Sequence, residues 1–207
     1  MRENIVFIFV CMGILSGCGK TTDNSKPLDT DLNSVQKPSE LLESTPNDAN
    51  TFALSPENTT IQFVGKHTGE EPDPHTGSFG AFSGSIKHND GKLSEVNLLI
   101  ETETITTDDD ELTQHLKTPD FFSVRDYPQA TFHSTSIDEA DGKNIQVTGK
   151  LTILGVEQEI SFPVQVKLLS SSVTLQASFE IDRSAYGMTF GKGKIENLVQ
   201  VSVTIGE

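Results

Sequence analysis

Tryptophan is absent from this chain of 207 residues, and tyrosine occurs twice against twelve phenylalanines. Aromatic burial is thus almost free of polar handles and asks for few internal hydrogen-bond partners. Cysteine occurs only at Cys11 and Cys18. Everything downstream lacks a disulfide, a cysteine metal site and a thiol nucleophile. Positive charge is scarce too: 15 Lys and Arg stand against 30 Asp and Glu, for a net charge of −15. So acidic a chain repels nucleic acid at long range, which excludes DNA and RNA as partners. The apolar run Ile5 to Leu15 falls well short of the ~20 residues that span a bilayer.

That short run fits the apolar core of a secretory signal. Leu15, Ser16, Gly17 and Cys18 follow it directly, in a pattern that resembles the bacterial lipobox. The chemistry needs a thiol to accept diacylglycerol and small residues to admit the peptidase. Cleavage before Cys18 removes Cys11 and leaves an acylated N-terminus; several acyl chains hold a protein stably where one binds marginally. Residues 1–18 are therefore expected to be a lipoprotein signal. Gly19 stands where an aspartate would resemble an inner-membrane retention signal, so the expected location is extracytoplasmic, on the periplasmic face of an outer membrane.

Residues 19–51 contain no aromatic residue before the first phenylalanine of the next segment, Phe52. Such composition buries too little surface to offset ordering entropy and predicts a disordered tether, with a reach of roughly 30 Å. From Phe52 the period becomes two. Val96, Leu98 and Ile100 face one way while Glu95, Asn97 and Glu101 face the other, and similar runs recur at 145–153, 160–168, 173–181 and 199–205. Alternation of this kind marks antiparallel strands with one dry face. Asn89-Asp90-Gly91 and Asp141-Gly142 read as hairpin turns. Adding strands near 61–66, 79–87 and 129–137 gives about eight. Thr107 to Lys117 opens acidic and closes with His115 and Lys117 before Pro119, which predicts one short helix. The expectation for 52–207 is an all-β domain: an extended, eight-stranded antiparallel barrel, closed so that no sheet edge is exposed. Eight strands enclose either a side-chain-filled core or one elongated ligand.

Four stretches carry a family resemblance. They are Leu116-Lys117-Thr118-Pro119-Asp120-Phe121-Phe122, Tyr127-Pro128-Gln129-Ala130-Thr131-Phe132, the run Gly149 to Val156 (GKLTILGV), and the run Phe179 to Met188 (FEIDRSAYGM). With Gly77-Ser78-Phe79 and Phe82-Ser83-Gly84 they closely resemble the YceI-like polyisoprenoid-binding family across the folded part. The resemblance implies a lipocalin-like barrel that holds a long isoprenoid chain, with no cofactor. Three positions depart from the family's pattern: Leu112 in place of an arginine, and Ser123 and Ala185 in place of acidic residues. They bear on any head-group contact made by those charges, not on the barrel.

Phe63, Phe79, Phe82, Phe121, Phe122, Phe132, Phe162 and Phe179 are the candidate ligand-pocket residues; as plain core they would serve equally well, and Phe121 and Phe122 would equally plug the helix onto the barrel. Arg183, Lys192 and Lys194 are the candidate head-group contacts, the lysines on a glycine-rich segment. Against them stand a pairing of Arg183 with Asp182 and a purely structural use of the glycines. With so acidic a domain, a neutral head, quinone or free polyprenol, is expected over a diphosphate. No catalytic residue is assigned: there is no Gly-x-Ser-x-Gly elbow, and Asp108 to Glu111 lacks the alternating ligands of a calcium loop. No metal site is assigned either, since His67 and His75 flank an acidic loop at a spacing that matches no zinc pattern. The expected function is a membrane-anchored isoprenoid-binding protein. The alternative is a structural or interaction lipoprotein whose barrel is filled by its own side chains.

Overall fold

A computed structural model describes residues 50–69, 73–139, 144–169 and 172–206. The signal segment 1–18, all of the tether up to residue 49 and the Asp141-Gly142 turn lie outside the described residues. Eleven strands form one sheet in which every pairing is antiparallel. In chain order they are β1 (Thr51–Leu54), β2 (Thr59–Lys66), β3 (Pro74–Phe79), β4 (Phe82–Asn89), β5 (Lys92–Glu101) and β6 (Ile105–Thr107). Helix α1 (Asp110–Leu116) follows, then β7 (Gln129–Glu139), β8 (Ile145–Ile153), β9 (Val156–Leu169), β10 (Ser172–Asp182) and β11 (Leu198–Ile205).

Eleven segments reduce to eight staves. β3 and β4 are one line broken at Gly80-Ala81, and β5 and β6 are its partner line, broken by a 3-10 turn at Thr102–Thr104. Pairing continues across the break. Phe79 faces Ile105 and Phe82 faces Ile100, and between them the Gly80 amide donates to the Thr104 carbonyl (3.1 Å) and the Glu101 amide to the Ala81 carbonyl (3.0 Å). The Thr104 hydroxyl accepts from the Ala81 amide (3.0 Å) and donates to the Glu101 carbonyl (2.7 Å), so the corner keeps its polar groups paired. β1 and β2 run in succession along the other edge of the β3/β4 line. The ring closes where β2 pairs with both β3 and β11.

Burial follows the alternation. Val173, Leu175 and Ala177 of β10 are buried while Ser172, Gln176 and Ser178 are exposed; in β9, Phe162 and Val164 are buried between exposed Ser161, Pro163 and Gln165. α1 starts three residues later than expected, because Thr107 belongs to β6. Asp109 caps it by accepting from the Leu112 amide (2.7 Å), as acidic N-caps do. Its buried Leu116 packs with Ile105 and Phe121, and Phe63, Phe79 and Phe122 pack around them. The helix therefore covers one end of the barrel, over the 63–79 region of β2 and β3.

Candidate functional site: the barrel lumen and its rim

The inward faces of the staves leave a cavity of about 240 Å³, bordered almost wholly by apolar side chains. Native interiors hold few voids larger than a water molecule, so this lumen is not filled by its own side chains. It runs from Leu54 and Ile205 at one end to Leu112, Leu116 and Phe121 under the helix. Of the eight candidate phenylalanines, all but Phe82 border it. Phe82, at the Gly80-Ala81 corner, is buried instead against a cluster that includes Ile61, Ile100 and Ala130. The others form two aromatic groups. Phe162 stacks on Phe179 at 4.1 Å between centroids, with Phe132 beside it at 5.6 Å. Phe79 bridges Phe63 (5.8 Å) and Phe122 (5.9 Å) nearer the helix. Phe121 serves both roles considered for it: it plugs the helix onto the barrel and borders the lumen.

The three candidate head-group residues are not brought together. Arg183 opens the 3-10 turn after β10 and is only 4% exposed. Its Nε donates to the Glu196 carbonyl (3.0 Å), Nη1 to Met188 (2.9 Å), and Nη2 to Phe190 (2.9 Å) and Ile195 (3.4 Å). Four main-chain carbonyls thus hold the guanidinium, and among the described residues it pairs with no carboxylate. Burial pushes its pKa down, with the charge of Asp182 opposing. The Asp182 carboxylate accepts instead from the Ser184 hydroxyl (2.6 Å) and amide (2.9 Å), which hold it below its usual range. Lys192 and Lys194 are exposed and do not border the lumen. The amides of Lys194 and Ile195 both donate to the Gly191 carbonyl (2.8 and 2.9 Å), so the glycines there make a tight connection.

Two polar features of the lumen were not placed there from the sequence, although His67 and His75 had been noted beside their acidic loop. Tyr186 borders the lumen, is 2% exposed, and its hydroxyl has no hydrogen-bond partner among the described residues. Burial pushes its pKa up to about 12, so it stays a neutral donor. The signal available was its rarity: it is one of two tyrosines in a phenylalanine-built interior. The second feature lies at the rim, where His67 and His75 border the cavity on β2's extension and on β3. His115, on α1, packs on Phe121 and Phe190 while contacting Asp120 (2.9 Å).

Fold and cavity together define a lipocalin-like antiparallel barrel with an apolar lumen under a helical cap. Residues 52–206 match the YceI-like domain, and the chain belongs to that family. It is similar to Protein YceI of Escherichia coli, 34% identical over 92 residues, which cover 44% of this chain and 48% of the relative. The chain spans about half the length of the curated relatives it matches. Among solved structures it resembles BcnA of Burkholderia cenocepacia, with a TM-score of 0.64 and 27% identity, covering 71% of this chain and 94% of that one. A polyisoprenoid binding domain from Saccharophagus degradans, implicated in plant cell wall breakdown, shares the fold with a TM-score of 0.57 at 18% identity, covering 75% and 96%.

Proposed function

We propose that this protein binds an isoprenoid lipid, holding its chain in the barrel lumen, and that Cys18 anchors it to a membrane. The observation that carries the first part is the apolar cavity that extends along the barrel interior. Each five-carbon unit moved from water into such a lumen contributes roughly 3 kcal/mol before ordering costs. Several units therefore bind without any charged contact. The family supports the same reading, as does the polyisoprenoid binding described for the Saccharophagus degradans domain. No residue is assigned a catalytic role.

A neutral head, quinone or polyprenol, is favoured over a diphosphate. The domain is acidic, and the Arg183 guanidinium that borders the lumen is already committed to four carbonyls. The buried Tyr186 hydroxyl offers a single donor to an acceptor oxygen, which suits a ligand that is mostly hydrocarbon. Calorimetry with chain-matched neutral and diphosphorylated isoprenoids of about six to ten units tests both levels, since apolar burial should predominate at that length. The expected result is tight binding of the neutral ligand that scarcely changes between low and high salt, because screening acts on charges. Failure of every chain length to bind would favour the alternative of a structural lipoprotein. Tighter binding of the diphosphate, lost with salt, would overturn the neutral head alone.

Anchoring stands separately on Leu15-Ser16-Gly17-Cys18. The proposed location is the periplasmic face of an outer membrane. In a detergent phase split the wild-type protein is expected in the detergent phase and labelled by radioactive fatty acid. Cys18→Ser should move it to the aqueous phase or leave it uncleaved and unlabelled. Equal partitioning of both would remove Cys18 as the anchor.

A further inference from the structure

The β2–β3 hairpin brings three metal-ligating side chains to one point on the lumen rim. The ladder pairs Lys66 with Pro74 and Gly65 with His75, and the His67 amide donates to the Asp73 carbonyl (3.4 Å). His67 and Asp73 are therefore opposite neighbours, and His75 lies two residues further along the same face. By the strand period this is the face of Phe63 and Gly65, which border the lumen. Gly65, directly opposite His75, has no side chain to occupy the gap, and a Cβ there would meet nothing within 4 Å. One ligand atom from each of His67, Asp73 and His75 lies within 4.8 Å of the other two.

The finer geometry favours an ion over a simple hydrogen-bonded pair. His75 Nε2 stands 3.6 Å from Asp73 Oδ2, too long for a hydrogen bond. In a tetrahedral zinc site with bonds of about 2.0–2.1 Å, neighbouring ligand atoms stand about 3.4 Å apart. The other ring nitrogen, Nδ1, is 3.1 Å from Asp108 Oδ1. Asp108 is itself fixed by the Thr76 amide (2.9 Å to Oδ2) and donates its own amide to the Thr76 carbonyl (3.0 Å). A carboxylate that accepts a hydrogen bond from Nδ1–H leaves Nε2 with the free lone pair and orients the ring, the outer-shell arrangement that metal-bound histidines use.

We propose that His67, Asp73 and His75 form a binding site for a divalent transition metal of the zinc class at the rim of the lumen, with Asp108 as the positioning residue behind His75. Two imidazoles and one carboxylate select zinc, copper or nickel over magnesium and calcium, which take all-oxygen sites. Three protein ligands leave one position of a tetrahedral ion for water or another oxygen donor. Both histidines border the cavity, so, if the lumen holds the proposed lipid, the site adjoins the space that guest would occupy.

The test uses the full chain in detergent, stripped with a chelator and titrated with zinc by calorimetry and thermal unfolding. The expected result is one zinc per chain, and a thermal midpoint raised by roughly 5–10 °C at a hundredfold excess over Kd, with no response to magnesium. His67→Ala and His75→Ala should each weaken binding at least tenfold while the metal-free midpoint stays near that of wild type. Asp108→Asn should weaken it about 10–100-fold. Undiminished zinc binding in the His67→Ala/His75→Ala double variant would place the ion elsewhere and overturn the proposal. So would an equal response to magnesium or the absence of any zinc binding.

Discussion

Arg183→Leu is expected to destabilise the barrel by about 3–5 kcal/mol, because several partly buried carbonyls lose the charged donor that satisfies them. The substitution leaves the carbonyls of Met188, Phe190, Ile195 and Glu196 without their donors. Each carbonyl that stays dry costs about 1–3 kcal/mol, and those nearer the surface recover water. For a domain of residues 52–206 the loss corresponds to a fall in the thermal midpoint of roughly 10 °C. Arg183→Lys should be little better, because one ammonium group cannot span four carbonyls set in a planar fork. Chemical denaturation of the two variants beside wild type measures this directly. A loss below about 1 kcal/mol for Arg183→Leu would mean that the clamp contributes little.

A comparable loss is expected from Gly149→Val, by crowding in place of lost bonds. Gly149 of β8 pairs with Ser134 of β7 beside an irregularity in that ladder. The Phe132 ring lies over the place where a Cβ would stand, and such a Cβ would come within 2.6 Å of the His133 carbonyl oxygen. A backbone atom cannot swing aside as a side-chain tip can, so the β7–β8 ladder must part. Overpacking of this kind costs typically 1–3 kcal/mol, and here the upper end or beyond is expected. Gly65→Ala is the control. It sits in β2 with open space around the added methyl, and its stability should equal or slightly exceed wild type, since glycine in a strand is itself unfavourable. A Gly149→Val midpoint in denaturant close to that of Gly65→Ala would refute the crowding argument.

How much of this was legible in the chain varies by element. β8 to β11 announce themselves because apolar residues recur mostly at alternate positions along strands of eight to fourteen residues. β3 does not: Pro74-His75-Thr76-Gly77-Ser78-Phe79 carries one large apolar residue, and its strand state is imposed by the β2 and β6 partners. The corner at Thr102–Thr104 was likewise hidden, since threonine is at home in strands and turns alike. Alternation places a phenylalanine on the inward face but does not say whether an empty lumen or a packed neighbour lies beyond it. Phe82 and Phe132 look equivalent in sequence, yet only Phe132 borders the cavity. The partners of Arg183 were unreadable for a different reason: they are main-chain carbonyls, which leave no mark in residue identity. The convergence of His67, Asp73 and His75 depends on hairpin register, which their spacing in sequence does not reveal.

The clamp on Arg183 also bears on how such a protein diverges. A latch made to carbonyl oxygens is indifferent to the side chains that those residues carry. Lys192 and Lys194 both lie on the latched segment with side chains out in water. They are free to change in size, charge and polarity while the segment stays fastened at the same four points. The lip of the barrel is thereby separated from its hinge pin. New surface chemistry can be tried there, one residue at a time, without loosening the wall behind it.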